Sequence, residues 1–593
     1  MKIGIDAIDY YVPPIALKIK DLAEARDIPT AKLEKGLGLK TMALVDIDED
    51  VASMAANALL NLITNNNLNP TNIGRIYLGT ESALDASKPT ATYAVGTVEN
   101  VLTSKYGKRC FKNCDVVDLT FACIGAVDAM ENCMDWVRAS PERKAIVIAS
   151  DIAKYELESS GEYTQGAGAV AILITNNPSI VELNQTIGVG MEHVGDFFKP
   201  RKTISNKDLK NTSIQEITKS SKEKIELYFE EPVFDGYYSN KCYQNRISEA
   251  LDHFNNQKET DFLNDWDHLI FHLPYAFQGR RMMLDIWLKW MDQKGFLKNI
   301  ENEIGTQKDS SDLKQWKKSA SKSSLYQRFV NQKIEAGEKA SMQIGNMYTA
   351  SIFMSFLSLL AVSLDNQTEL TNNSIGFLSY GSGSKSKVLE GKVVKSWKEK
   401  INHLNIFESL DCRDFIDFKG YEDVILLGNS LGGHIGLYYT NLYPTKVAGL
   451  VITGSSGLYE SAMGSGYTKR SDYNVIKAKA EEVFYDPAVA TKEIVDDVFE
   501  TVNDRNKLVK TLAIAKSAIR HNMAKDLPKM TTPTCIIWGK NDIVTPPNVA
   551  DEFHKLLPDS NLYWIDKCGH AAMMEHPETF NEILLEWLKM RGL

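Results

Sequence analysis

From the first residues to about 190, strand-like runs alternate with helical ones: KIGIDAI, RIYLGT, CDVVDLT, KAIVIAS and GAVAILIT are separated by stretches such as VASMAANALLNLIT and GAVDAMENCMDWVR. A chain whose apolar period switches repeatedly between 2 and about 3.6 residues has to stack helices on a sheet, so the expected class is layered α/β. Residues 191–265 are polar and aromatic and less regular. A second α/β passage follows, with the strand DHLIFHLP, helices through 278–295, a highly charged segment at about 296–340, the apolar run GNMYTASIFMSFLSLLAVSL and the strand SIGFLSYGSGSKSKVLEG. Around 405–422 the texture changes without a Gly/Ser/Pro linker, and FESLDCRDFIDFKGYEDVILLGNSLGG passes from a helix end straight into a very apolar strand. This places a boundary near residue 420 and divides the 593 residues into two domains, 1–420 and 421–593, as expected of a chain too long for one core. The second part again alternates strands (DVILLGN, VAGLVITG, TCIIWG, NLYWID) with helices, and the helical stretch of roughly 455–525 reads as a lid.

Composition narrows the function classes. With 44% hydrophobic and 24% charged residues the chain sits near globular averages, and no apolar run reaches the ~20 residues of a membrane span, so no membrane partner is expected. The opening MKIGIDAIDYYVP is an amphipathic strand rather than a secretory signal. Eight cysteines in so long a chain show no paired metal-type spacing and read as reduced thiols, which together imply a cytoplasmic protein without a bound metal. A net charge of −10 argues against a general nucleic-acid surface. The six lysines between 385 and 400 read as a solvated face at a domain end.

Three residues in the first part can carry chemistry. In DLTFACIGAVDAMENC a strand-like run reaches Cys123 just before a Gly/Ala-rich helix start, where the positive end of the helix dipole favours thiolate. The strand DHLIFHLP delivers His272 ahead of a proline turn, in position for general acid/base work. The run IYLGTESALDASKP leaves Glu81 at a strand end, where a partly desolvated carboxyl can exchange a proton near neutral pH. Read singly, Cys123 can equally be a buried structural thiol, His272 a satisfied core histidine and Glu81 a cap or loop carboxylate.

Together these segments resemble the hydroxymethylglutaryl-CoA synthases. The resemblance runs through roughly residues 1–418 and includes, in the family's order, GTESALDASKP, TFACIGAVDA, ASDIAKYELESSGEYTQGAGAVA, MEHVGDFFKPR, FDGYYSNKCY, FHLPYAFQGRR, GNMYTAS and FLSYGSGSKS. It implies a thiolase-like layered αβαβα domain, with Cys123 as nucleophile, His272 as the histidine that engages the acetoacetyl-CoA carbonyl and Glu81 as general acid/base. Asn346 and Ser379 match residues lining the acyl pocket, with Tyr155 and Asp235 as further pocket members. Related ketoacyl-synthase III enzymes also pair Cys with His and Asn but do not need the glutamate, so Thr-Glu-Ser at 80–82 favours the synthase. The implied reaction condenses acetyl-CoA with acetoacetyl-CoA and water to 3-hydroxy-3-methylglutaryl-CoA through an acetyl-Cys123, on the mevalonate route to isoprenoids. No cofactor is implied beyond the CoA thioesters themselves, and the expected assembly is a homodimer. Arg280 and Arg281 are candidates for the CoA phosphates. The stretch PYAFQGRRM departs from the commoner form of this segment, so a phosphopantetheinyl carrier protein, in a β-branching synthase, stands beside CoA as an alternative acyl bearer.

The second part contains GNSLGG at 428–433, a G-x-S-x-G nucleophile elbow placing Ser430 between the strand DVILL and a helix. Asp542 follows in WGKNDIVTPP and His570 in DKCGHAAMMEHPE, the order Ser, acid, His of the α/β-hydrolases, which this part resembles and whose ester or thioester hydrolysis is the alternative activity. In that family several strands and an oxyanion loop precede the elbow. Here the residues before Asp423 belong to the first resemblance, so a partial α/β-hydrolase fold is expected, with Leu431 N–H as the one oxyanion donor the sequence provides.

Overall fold

The computed structural model describes residues 1–199, 203–205, 224–226, 231–306, 313–411, 421, 423–459, 470–503 and 522–593. The chain divides into two compact units, Met1–Phe415 and Ile416–Leu593. The boundary expected near residue 420 falls in 412–420, outside the described residues, as do 460–469 and 504–521 of the expected lid. What is described of the lid includes the helices Tyr473–Glu481 and Lys492–Asn503.

The first unit is built on one mixed nine-stranded sheet made of two half-sheets. One half runs in spatial order His268–Phe271, Ser374–Gly381, Lys385–Val393, Val181–Met191; the other runs Ile3–Tyr11, Gly166–Asn176, Ala145–Ala153, Arg75–Gly79, Asp115–Leu119. They are joined by a short antiparallel pairing, Gly4 with Glu182 and Ile5 with Val181. The strands Ala145–Ala153 and Gly166–Asn176 are buried along nearly their whole length, which explains their unbroken apolar sequence. Each is covered on both faces. On one side the helices Val51–Asn65 and Thr90–Tyr106 pack a core of their own, the first opened by a capping box between Asp50 and Ser53. On the other side lie the helices Gly125–Arg138 and Ser351–Asp365, whose core includes residues from both half-sheets. Beyond the half-sheet that contains His268–Phe271 the helices Gly236–Gln257, Gln278–Gln293 and Ser324–Lys333 form the outermost layer. The layering is therefore helix, sheet, helix, sheet, helix, the thiolase-like order expected from the sequence. The span Tyr348–Asp365 is long and apolar enough to cross a membrane, contrary to the sequence estimate, but 83% of it is buried, and it is the central core helix of the unit.

The second unit holds a parallel four-stranded sheet in the order Val424–Asn429, Val447–Thr453, Thr534–Gly539, Ser560–Ile565. Helices Leu431–Leu442, Pro547–Leu556 and Pro577–Arg591 pack against it. The elbow strand Val424–Asn429 stands at the edge, and Ile425 and Leu427 are 37% and 48% exposed. Among the described residues no strand lies beyond it, as a partial α/β-hydrolase fold requires.

Candidate active site

The strand Arg75–Gly79 runs parallel to Asp115–Leu119, so the segments that follow them, bearing Glu81 and Cys123, emerge at the same end of the sheet. The approach is close. A side chain on Gly79 would stand 2.2 Å from the backbone nitrogen of Ala126 in the first turn of the helix Gly125–Arg138. Between strand and helix the chain makes a sharp turn with Ala122 at φ 40°, a conformation that costs a non-glycine residue and that clusters at functional sites. This turn presents Cys123, whose Sγ–H donates to Glu81 Oε1 at 3.0 Å.

Glu81 is fixed from behind by Asp151. This buried carboxylate accepts from Thr80 Oγ1 (2.8 Å), Glu81 N (2.9 Å), Thr349 N (3.0 Å) and Thr349 Oγ1 (2.5 Å). The other oxygen of Glu81, Oε2, faces Lys199 Nζ at 3.8 Å. Burial raises the Glu81 carboxyl to about 7; Lys199 and the Cys123 hydrogen bond oppose that rise and Asp151 adds to it. Burial and then the Glu81 charge push the Cys123 thiol well above its usual range. The expectation of a thiolate stabilised by the helix dipole is thus corrected: the helix begins two residues later, at Gly125, and desolvation beside a carboxylate outweighs it. The thiol is held protonated with a base already in contact.

Around the sulfur, Tyr155 and Tyr348 pack with Cys123 and Ala153, and Phe197 and Phe234 close the cluster. Tyr155 meets Phe234 edge-on at 5.3 Å, and Phe197 meets Tyr348 at 6.0 Å between ring centroids. The two phenylalanines face one another in an antiparallel ribbon of Phe197–Phe198 and Val233–Phe234. Tyr348, at φ 42°, ties several groups together: its N–H donates to Asn346 Oδ1 (2.8 Å), and its backbone bonds to the His272 ring. His272 lies at the end of the strand His268–Phe271, is buried, and shares Ser351 Oγ with Leu273 N at 2.6 Å and 3.0 Å. Burial lowers its pKa to about 3, so the ring is neutral at physiological pH.

Of the residues expected from the sequence, Cys123, Glu81 and Tyr155 form one contiguous cluster, with Asn346 and His272 joined to it through Tyr348. Ser379 is buried on the strand Ser374–Gly381, and its hydroxyl donates to Lys387 O across the strand pair at 2.8 Å. Asp235 differs from expectation. Its carboxylate caps the helix Gly236–Gln257 by accepting from Tyr237 N and Tyr238 N, and it is the neighbouring Phe234 that reaches the pocket. Arg280 differs as well: its guanidinium pairs with Glu338, a carboxylate only 1% exposed, and stacks 3.9 Å over the Phe277 ring, which leaves it little freedom for a phosphate. Arg281 is exposed and donates to Gly36 O at 2.5 Å. Sequence reading missed Asp151, Lys199 and Ser351, all of which lie within segments it had singled out.

In the second unit Ser430 has φ 54° and ψ −119°, the strained geometry of a nucleophile elbow. Gly428 is required there, because a side chain would meet the backbone carbon of Gly432 at 2.2 Å. His570 Nδ1 lies 2.9 Å from Asp542 Oδ2, and Asp542 is further held by Val544 N, Thr545 N and Thr545 Oγ1. The Asp–His half of the expected triad is assembled.

Comparison with known proteins agrees with this division. Residues 1–179 match the family described as "Hydroxymethylglutaryl-coenzyme A synthase N terminal", residues 181–430 its C-terminal counterpart, and residues 409–577 the family described as "Serine aminopeptidase, S33". The hydroxymethylglutaryl-CoA synthase of Haloferax volcanii is 29% identical, over 71% of this chain and 90% of that protein. That of Schizosaccharomyces pombe is 30% identical, over 72% of this chain and 89% of that protein. A crystal structure of a hydroxymethylglutaryl-CoA synthase complexed with CoA is 29% identical with a TM-score of 0.52, covering 72% of this chain and 90% of that one. The chain belongs to the hydroxymethylglutaryl-CoA synthase family of carbon–carbon bond-forming acyltransferases, and carries after it a segment of the α/β-hydrolase class.

Proposed function

We propose that this protein condenses acetyl-CoA with acetoacetyl-CoA and water to give 3-hydroxy-3-methylglutaryl-CoA and free CoA, through an acetyl thioester on Cys123. The observation that carries the reading is the 3.0 Å contact between Cys123 Sγ and a buried carboxyl, Glu81, that titrates near neutrality. In the first step Cys123 sulfur bonds to the acetyl carbonyl carbon as its own proton passes to Glu81 Oε1, and the carbon–sulfur bond to CoA breaks, CoA leaving as a thiol after taking up that proton. In the second, Glu81 as carboxylate removes a methyl proton from acetyl-Cys123, the resulting carbon nucleophile adds to C3 of acetoacetyl-CoA, and the proton held by Glu81 passes to the C3 oxygen, which becomes the 3-hydroxyl while Glu81 returns to carboxylate. His272, kept neutral by burial, suits polarisation of that carbonyl, because a neutral imidazole N–H can donate without first gaining a proton from solvent. Water then cleaves the thioester, returning the Cys123 thiol and freeing the product.

Mass spectrometry after incubation with acetyl-CoA tests this reading. An adduct of ~42 Da on Cys123, lost in Cys123→Ala, is expected. Its absence in folded wild-type protein overturns the reading for CoA. The same assay with an acetylated phosphopantetheinyl carrier protein then decides whether the acyl bearer is a protein instead.

The Asp542–His570 pair supports a second activity, hydrolysis of esters or thioesters at Ser430. With Leu431 N–H as the single oxyanion donor we expect it to be slow, since losing one such donor costs about 3 kcal/mol of transition-state stabilisation. Release of p-nitrophenol from short acyl esters at ordinary hydrolase rates, abolished by Ser430→Ala, contradicts that expectation.

A further inference from the structure

Lys199 follows directly on the ribbon strand Phe197–Phe198 and points its ammonium at Glu81. It makes two approaches to that one residue: Nζ donates to the Glu81 main-chain oxygen at 3.3 Å and lies 3.8 Å from Oε2. Its third neighbour is the face of Tyr348, 4.7 Å from the ring centroid, and its side chain is only 16% exposed. The two carboxylate oxygens of Glu81 are thus divided, Oε1 to the thiol and Oε2 to the ammonium.

We propose that Lys199 is a positioning residue for the proposed condensation: by gripping Glu81 at both its main chain and Oε2, it aims Oε1 at Cys123 and sustains the carboxylate that accepts the thiol proton. An ammonium at this distance in a desolvated pocket favours the charged partner by an amount that a solvated surface pair would not. The charged and titratable groups acting on Glu81 are Lys199, Asp151 and Cys123; Lys199 also opposes the upward shifts of Cys123 and Asp151, so its charge acts on the whole cluster. A lysine that merely closed the pocket would exclude water equally well without its charge, and this is the distinction to test.

The experiment is the pH dependence of Cys123 alkylation by iodoacetamide in the full chain, for wild type, Lys199→Met, Lys199→Gln and Lys199→Arg, with folding checked by circular dichroism. Iodoacetamide reads the protonation of the thiol with no acyl-CoA present. Loss of the charge in the Met and Gln variants is expected to move the alkylation midpoint up by about one pH unit, and to slow acetylation at pH 7 about tenfold while changing the KM for acetyl-CoA less than about threefold. Arginine is expected to restore most of both. A midpoint unmoved in the Met and Gln variants, or an Arg variant as impaired as they are, overturns the assignment. The inference rests on the proposed function, but the two fail separately. Wild-type protein that alkylates normally yet forms no acetyl adduct overturns the function, whereas normal acetylation with an unmoved midpoint overturns only the role of Lys199.

Discussion

Cys123 donates its thiol proton to Glu81 Oε1 at 3.0 Å, with the thiol raised well above its ordinary range and the carboxyl at about 7. Nucleophile and base are therefore already paired in the resting protein. The first consequence is a pH profile. Glu81 can take the thiol proton only when it is itself deprotonated, so the rate of acetylation of Cys123 should rise with pH through about 7 and level off above it. Stopped-time mass spectrometry across pH 5.5–8.5, about the range that spans the transition, checks this. A profile flat through this region means that Glu81 is not the base.

The same burial makes Glu81 a cost to the folded state. Its folded pKa of about 7 lies above the ordinary carboxyl value of 4.5, so the folded protein binds the proton more tightly than the unfolded chain. The contribution is fully favourable below about 4.5 and is lost as pH rises through 7. Glu81→Gln removes the buried charge and should stabilise the first unit at pH 8 by about 1–2 kcal/mol, allowing for the lost pairing with Lys199, while stopping the condensation. The gain should fade toward pH 5. Urea denaturation at the two pH values measures it, and an equal or opposite effect at pH 8 rules out a destabilising charge.

Asp151 is the support on which this pair rests. It accepts four hydrogen bonds, from Thr80, Glu81 and both donors of Thr349, and both threonines are fully buried. Asp151→Ala leaves those donors without their acceptor and should cost about 3 kcal/mol in stability, since buried unsatisfied donors are expensive. It should also lower the acetylation rate at least tenfold, because the Glu81 main chain loses its anchor. Asp151→Asn, which keeps one acceptor oxygen, should fall between the two. Thermal melts with acetylation rates on the same samples separate the effects; a stable, fully active Asp151→Ala removes Asp151 from the support of the site.

Much of this was legible in the sequence, and what was not has a common cause. The layering followed from apolar periodicity, and Cys123, Glu81 and His272 stood at strand ends, where side chains are delivered to a site. Asp151 was hidden because a carboxylate four-fold hydrogen-bonded inside a core looks, in ASDIAKYE, like any strand-end aspartate. Lys199 was hidden because its contact with Glu81 spans 118 residues and depends on the Phe197–Phe234 ribbon, which local pattern does not encode. The pairing of Arg280 with Glu338 was hidden because the two lie 58 residues apart. Asp235 is different: in FDGYYSNKCY an aspartate directly before a helical run is an N-cap signal, and the local rule alone was sufficient to read it.

The edge of the second unit carries the last prediction. In the strand Val424–Asn429 alternate residues point to opposite faces, and Leu426 packs with the core of the unit while Ile425 and Leu427 are 37% and 48% exposed. One side of the strand pairs with Val447–Thr453, and among the described residues the other side has no strand partner. An unpaired apolar edge with no charge or proline to blunt it is a template for strand addition by a second chain. Replacing Ile425 by Thr and Leu427 by Lys keeps strand propensity on one residue and places a charge on the other, and should reduce concentration-dependent aggregation seen by light scattering. Because Cys123 lies in the other unit, its acetylation rate should be unchanged. If the aggregated fraction at equal concentration does not fall, the self-association comes from another surface. If acetylation falls with it, the two units are coupled in a way that the separate core of each does not require.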